Sequence, residues 1–222
     1  MTSRRFRECL DRRAAHAAVA VSSELGERLE IYFRLLARWN QKINLTAFPT
    51  DDPTDETFDR LFIEPLAAAR HIEDSWTPWF DLGSGGGSPA IPLKLARPDL
   101  VLTMVESKAR KAAFLREAVR TLGLVGTSVV NVRFEELPSS SNGAGSAGLV
   151  TARAVRTDRA LVECAAQLLS ADGRLLLFRR SSTAAKHRGL IFDSSAVLIP
   201  SPKQPAHLLI YRRMFHVEQS CH

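Results

Sequence analysis

Four glycines in five positions, Gly83, Gly85, Gly86 and Gly87, stand between a short apolar run, Trp79-Phe80-Asp81-Leu82, and a segment opened by Ser88-Pro89-Ala90-Ile91-Pro92. These residue types in this order make a strand, a turn without Cβ atoms, and the start of a helix. Glycine takes positive φ freely and lets a ligand reach the main chain. Pro89 and Pro92 suit a helix's first turn, which leaves its amides facing whatever fills the loop. The chemistry on offer is backbone recognition of a nucleotide-like or amino-acid ligand. A mere turn would not justify the conformational entropy of so many glycines.

What the loop lacks narrows the ligand. A dinucleotide fingerprint needs a third glycine three positions after Gly85, and Ser88 stands there. The phosphate-cradling pattern that ends in Gly-Lys-Ser/Thr is absent as well. An S-adenosylmethionine (SAM) loop needs close backbone approach but no pyrophosphate cradle. The next apolar run, Leu100–Val105, ends in Glu106. A carboxylate at that strand tip accepts hydrogen bonds from ribose hydroxyls, in NAD sites as much as in SAM sites.

These residues must be held by an α/β frame. At 222 residues the chain is long enough for one large domain, or a domain with an appendage. Its composition is that of a globular protein, and no apolar run approaches the roughly 20 residues of a membrane helix. No signal core follows the basic N-terminus, so cytoplasmic residence and no membrane partner are expected. Cys9, Cys164 and Cys221 are scattered, which argues against a metal site or a disulfide framework. A formal net charge of +6 favours a polyanionic partner.

The first 13 residues carry five arginines against Glu8 and Asp11 and read as a loosely held basic arm. From Ser22, Leu25, Leu29, Tyr32, Phe33, Leu36, Trp39 and Ile43 recur at helical spacing. Asn40 and Asn44 then fall on one side of the helix end, either as packing and capping groups or as a polar edge beside the ligand or a nucleic-acid partner. The acidic stretch 49–59 reads as a loop followed by a helix start, and that helix runs to about Ile72 with a kink or restart at Pro65. After the glycine loop, helices over 90–96, 108–122 and 158–169 alternate with strands ending at Glu106, Val132 and Ala152. Residues 139–148 read as a mobile surface loop, and Asp172-Gly173 as a turn before a strand over 174–178. Ala196–Ile199 and His207–Tyr211 form an antiparallel pair at the sheet edge. The result is a Rossmann-like α/β fold, a mostly parallel seven-stranded sheet with helices on both faces. A helical extension over 1–72 precedes a core over 73–211 and a tail over 212–222.

Several blocks together resemble one family: RWNQKINLTA (38–47), DLGSGGGSPAIPLKL (81–95), MVESKARKAAFL (104–115), VRFEELP (132–138), VTARAV (150–155) and GRLLLF (173–178). Their order and spacing are similar to the bacterial small-subunit rRNA guanine-N7 methyltransferases, also called glucose-inhibited division protein B. The resemblance implies SAM-dependent methylation of a guanine N7 in 16S rRNA, with the RNA or the small ribosomal subunit as partner and a monomeric enzyme. It places SAM against Gly83 and Ser88, with Phe134 and Glu135 after the third strand and Arg153 after the fourth completing the pocket. Glu106 matches the family's acidic strand tip. Departures fall at Ser88, Ala90, Leu61, Glu64, Pro65 and Arg179-Arg180.

Guanine N7 carries a lone pair and no proton at neutral pH, so the resemblance implies no general base and no catalytic side chain beyond positioning by Arg153. Arg110, Lys111 and Arg116, with Arg153, Arg156 and Arg159, are placed to line the ligand edge of the sheet and meet RNA phosphate. Two other readings stay open at this point. One is an NAD(P)-binding oxidoreductase. The other is a non-catalytic RNA-binding or ribosome-assembly protein.

Overall fold

A computed structural model describes residues 1–139, 144–153, 159–200 and 205–214. Helices α1 (Ser3–His16) and α2 (Ser23–Asn40) lead to a short α3 (Asp55–Phe58), a π-helical turn (Asp59–Ile63) and α4 (Glu64–Ala69). The chain then alternates through β1 (Trp79–Leu82), α5 (Ala90–Ala96), β2 (Leu102–Val105), α6 (Ala109–Leu122) and β3 (Thr127–Val130). A 3-10 turn (Phe134–Ser139), β4 (Ala147–Arg153), α7 (Arg159–Leu168), β5 (Leu169–Arg179), β6 (Leu190–Ile199) and β7 (Ala206–Arg213) complete it.

Local chemistry sets these boundaries. The Ser22 side chain accepts from Leu25 N and starts α2. Thr54 and Thr57 close a reciprocal capping box on α3. Gly123, in the left-handed region, ends α6.

The seven strands lie in the order β3-β2-β1-β4-β5-β7-β6. The first five are parallel; β7 runs antiparallel to both β5 and β6. The chain steps outward from β1 to β3 and returns to the other side of β1 with β4. The order therefore reverses between β1 and β4, and in an open α/β sheet the crevice at that reversal is where ligands bind. One face packs Trp79, Leu102 and Met104 against α2, α5 and α6. The other packs Leu82, Val105 and Val150 against α7. Among the described residues no helix is long and apolar enough to cross a membrane.

The N-terminus differs from the reading of a loose basic arm. It is a helix whose Phe6, Leu10 and Ala14 are buried. Phe6 meets Phe58 and Phe62 at ring-centroid distances of 5.3 and 5.6 Å. The arginines are matched by the acidic stretch: Arg12 pairs with Asp55 at 2.6 Å, and both oxygens of Asp59 accept from Arg13 at 2.7 and 2.6 Å. Charge alone hid a helix that has a short apolar stripe and partners far along the chain. Phe6→Ala is expected to lower stability by about 3–5 kcal/mol, the range for a buried phenylalanine, measured by denaturant unfolding.

Other differences are local. The helix expected up to Ile72 is broken by the π-helical turn and ends at Ala69, while its restart at Pro65, in the first turn of α4, is as expected. Asp172 and Gly173 lie inside β5, where the register against β4 shifts between Ala147 and Leu149. Ala147 and Gly148, read as part of the surface loop, open β4, while 140–143 lie outside the described residues. β7 continues through Arg212 and Arg213, and residues 215–222 are not described.

Candidate functional site

Leu82 ends β1, and the chain turns at once through Gly83 (φ 73°), Gly85 (φ 51°) and Gly87 (φ 87°). The turn is pinned to β2: Gly83 N and Ser84 N both donate to Val105 O, at 2.9 and 3.0 Å. It is also pinned to the helical extension, because the Tyr32 hydroxyl donates to Gly86 O at 2.6 Å.

The glycines do different work. A Cβ on Gly85 would meet only Gly83 O, at 3.7 Å, so that face is open. A Cβ on Gly87 would sit 2.5 Å from Ile91 Cδ1, inside the packing of α5. The Gly85 face is therefore open to the cavity, while Gly87 is packed into the core. The helix start is also less free than its prolines suggested, since Ile91 N already donates to Gly87 O at 2.6 Å.

Glu106 follows β2 and is 6% exposed. Its Oε2 accepts from Gly85 N at 2.9 Å and its Oε1 from Lys108 N at 2.8 Å. It fixes the loop, and each carboxylate oxygen keeps a second lone pair for a ligand.

At the tip of β4, Arg153 Nη1 donates to Ser88 Oγ at 3.1 Å and to Arg60 O. Its guanidinium stacks over Phe178, 4.6 Å from the ring centroid, and Nη2 lies 3.5 Å from Glu64 Oε2. Burial pulls its pKa down to about 10 against the raising effect of Glu64, so it stays charged at neutral pH. Arg153 Nε and Nη2 and Arg60 Nε are buried without a hydrogen-bond partner among the described residues. Each such donor costs about 1–3 kcal/mol. Ser88 Oγ in turn donates to Leu61 O at 2.9 Å, which ties the loop to the π-helical turn.

These groups surround a cavity of about 430 Å³, within the roughly 300–1,000 Å³ of small-molecule sites. Gly83, Gly85, Ser88, Glu106, Lys111 and Arg153 are on its wall, and so are Arg60, Leu61 and the segment Leu45–Phe48. Asn40 shapes that last segment: its Oδ1 accepts from Leu45 N at 2.9 Å and Thr46 N at 3.0 Å. The Asn40 carbonyl is thus a loop clasp and not an edge offered to RNA, while Asn44 is exposed.

Not every sequence candidate converges here. Phe134 and Glu135 open the 3-10 turn after β3, outside this wall; Phe134 O accepts from Cys164 Sγ at 3.1 Å, and Glu135 lies 3.4 Å from Arg133. Arg110 and Arg116 are exposed on α6. Arg156 lies outside the described residues. Sequence reasoning passed over Arg60 and the Leu45–Phe48 wall. The signal for Arg60 was a glutamate four residues on, across an otherwise apolar Leu61-Phe62-Ile63.

Asp81 was also passed over as a strand residue. It is buried, and its Oδ1 accepts from the Thr151 hydroxyl at 2.5 Å. Burial raises its pKa above the ordinary carboxylate range, opposed by that hydroxyl and by the charge of Arg153.

In spatial order the strand tips on the cavity wall present Glu106 (β2), the glycine loop (β1) and Arg153 (β4). Two strand spacings of about 4.8 Å make this row about 10 Å long. It suits an extended ligand with a hydroxyl-rich part and an anionic end. A nucleoside joined to an amino acid has that shape, and the residues present fit SAM.

Comparisons with known proteins agree. The family model for rRNA small subunit methyltransferase G (GidB) matches residues 26–195. A protein of that name from Stenotrophomonas maltophilia is 38% identical over 165 residues, 73% of this chain and 73% of its own length. The one from Leuconostoc mesenteroides is 30% identical over 89% of this chain and 80% of its own. Among solved structures, the mitomycin 7-O-methyltransferase MmcR superposes with a TM-score of 0.54 at 18% identity, covering 68% of this chain and 53% of that one. TrmN from Thermus thermophilus gives 0.52 at 17%, over 68% and 49%. At these identities the structural likeness speaks for the fold alone. The family match spans most of the sequence, and the chain belongs to the rRNA small subunit methyltransferase G family.

Proposed function

We propose that this chain methylates N7 of a guanine in 16S ribosomal RNA, using SAM, and acts as a cytoplasmic monomer on the RNA or the small subunit. The observation that carries the proposal is the cavity at the β1/β4 reversal, with a bare glycine backbone between a carboxylate and a buried arginine. When bound, the cofactor supplies an electrophilic methyl group on a positively charged sulfur.

The protein's part is positioning. Glu106 would hold the ribose, and the Gly85 backbone would lie against the nucleoside without a side chain between them. Arg153 would hold the amino-acid end; a cation there repels the sulfonium, so its charge belongs at the carboxylate. Leu36, Leu45, Ala47 and Phe48 give the cavity an apolar wall. The guanine N7 lone pair needs no base to expose it, and no side chain is assigned that task. Lys111 at the wall, with the exposed Arg110 and Arg116, would attract phosphate.

Glu106→Gln is expected to weaken binding of S-adenosylhomocysteine by about 1–3 kcal/mol, since it loosens both the ribose and Gly85 N; titration calorimetry measures it. Affinity for small-subunit RNA is expected to fall steeply between low and physiological salt, as phosphate contacts release counterions. A flat dependence would point to a small-molecule methyl acceptor. Radiolabelled SAM against NADH in equilibrium binding tests the cofactor: retention of NADH instead of SAM would favour a reductase.

A further inference from the structure

Two arginines share one carboxylate at the β4 end of the cavity. Arg60 Nη1 donates to both oxygens of Glu64, at 2.9 and 2.8 Å, and Arg153 Nη2 lies 3.5 Å from Glu64 Oε2. The side chains of Arg60, Glu64 and Arg153 are 13%, 2% and 8% exposed. The remaining acidic group near Arg153 is Asp81, one of whose oxygens is engaged by Thr151 and the other unbonded among the described residues. Among the described residues around the cavity, Glu64 is thus the one carboxylate paired with two permanent cations.

The opposite end of the cavity carries Glu106. On the β2 side Glu106 shares the wall with Lys111, whereas the β4 tip holds two guanidinium groups against Glu64. A ligand lying across β1 therefore meets the excess of positive charge at the arginine end. Arg60 commits Nη1 to Glu64, which leaves the Nη2 edge of its guanidinium for a ligand, and it lies on the cavity wall. The π-helical turn puts it there: Arg60 is inside the turn, Glu64 is the first residue of α4, and Arg60 O receives Arg153 Nη1.

We infer that Arg60 and Glu64 are positioning residues that make the β4 end of the cavity a receptor for the carboxylate of an α-amino-acid group. Arg60 shares that carboxylate with Arg153, and Glu64 holds the two guanidinium groups apart and in register. The inference rests on the cofactor reading above, in which the α-amino acid is the methionine half of SAM. A backbone phosphate of the RNA offers a similar fork of anionic oxygens, and the test separates the two sources.

The test compares S-adenosylhomocysteine with its decarboxylated analogue, which keeps the amine and lacks only the carboxylate. Calorimetry is run on wild type, Arg60→Gln, Arg60→Lys and Glu64→Gln, each with a thermal melt. Wild type is expected to prefer the carboxylate form by at least about tenfold, the scale of a charge-assisted contact. Arg60→Gln and Glu64→Gln should each erase most of that preference while leaving the analogue's affinity within about twofold. Arg60→Lys, which keeps charge but not the planar fork, should recover part of it.

Equal losses for both ligands would make the pair merely structural and overturn the inference. So would an unchanged preference accompanied by weaker RNA binding with a shallower salt slope, which would assign the arginines to phosphate. If Glu64→Gln fails to fold, Arg60→Gln and Arg60→Lys decide alone, because Glu64 then keeps Arg153 as its counterion. Wild type that melts cooperatively but binds neither compound would sink the cofactor reading itself, an outcome distinct from the failure of the arginine pair.

Discussion

Gly85→Val is expected to abolish binding of SAM and S-adenosylhomocysteine in a chain that still folds. The added Cβ has no neighbour closer than 3.7 Å and points into open space at the cavity wall. A valine would also have to hold φ near 51°, at about 1–2 kcal/mol for left-handed backbone. For a chain of this size that lowers the melting midpoint by about 2–8 °C. Calorimetry with a parallel melt reads both effects. Gly87→Val is the contrast: its Cβ falls 2.5 Å from Ile91 Cδ1 and 3.4 Å from Leu115 Cδ2 at φ 87°, so α5 must repack and the variant should lose more stability than Gly85→Val. Retention of wild-type affinity by Gly85→Val would remove the glycine loop from the site.

Arg153→Ala is expected to cut methylation by about 10–150-fold, equivalent to 1.5–3 kcal/mol for hydrogen bonds to a charged group, with RNA affinity little changed. The side chain is 8% exposed, so its contacts are inside the cavity wall and not on the surface. Its removal leaves Arg60 and Glu64 as a balanced pair, which favours retention of the fold. Arg153→Lys should fall nearly as far, since a point charge cannot serve Ser88, Arg60 O and a ligand together. A methylation rate near wild type in Arg153→Ala would end its assignment to the site. Loss of RNA affinity alone would move it to the substrate groove.

Much of the frame was legible because its signals are local. Trp79–Leu82 and the glycines are neighbours in sequence, and Glu106, 21 positions from Gly85, follows the next strand on an adjacent tip. The α2 stripe was legible for the same reason, with Ser22 capping it as the sequence implied. What escaped depends on distant partners. Arg12 and Arg13 of α1 find their counterions more than 40 positions along the chain, so their charge looked unpaired. Arg60 meets Arg153 across 93 positions, and a π-helical turn has no residue pattern that announces it. Asp172-Gly173 carries turn chemistry but lies within a strand whose register shifts, because pairing with β4 overrides the local preference. Asn40 was read as either a cap or a polar edge, and its side-chain carbonyl closes the loop at the amides 5 and 6 residues on.

The most direct test incubates the purified protein with methyl-labelled SAM and either 16S ribosomal RNA or small subunits prepared from a strain lacking the enzyme. The account predicts a single labelled methyl per RNA, at a guanine whose N7 methylation is revealed by chain scission after reduction and aniline treatment. Absence of label in both substrates, or label at any other base or atom, would contradict it.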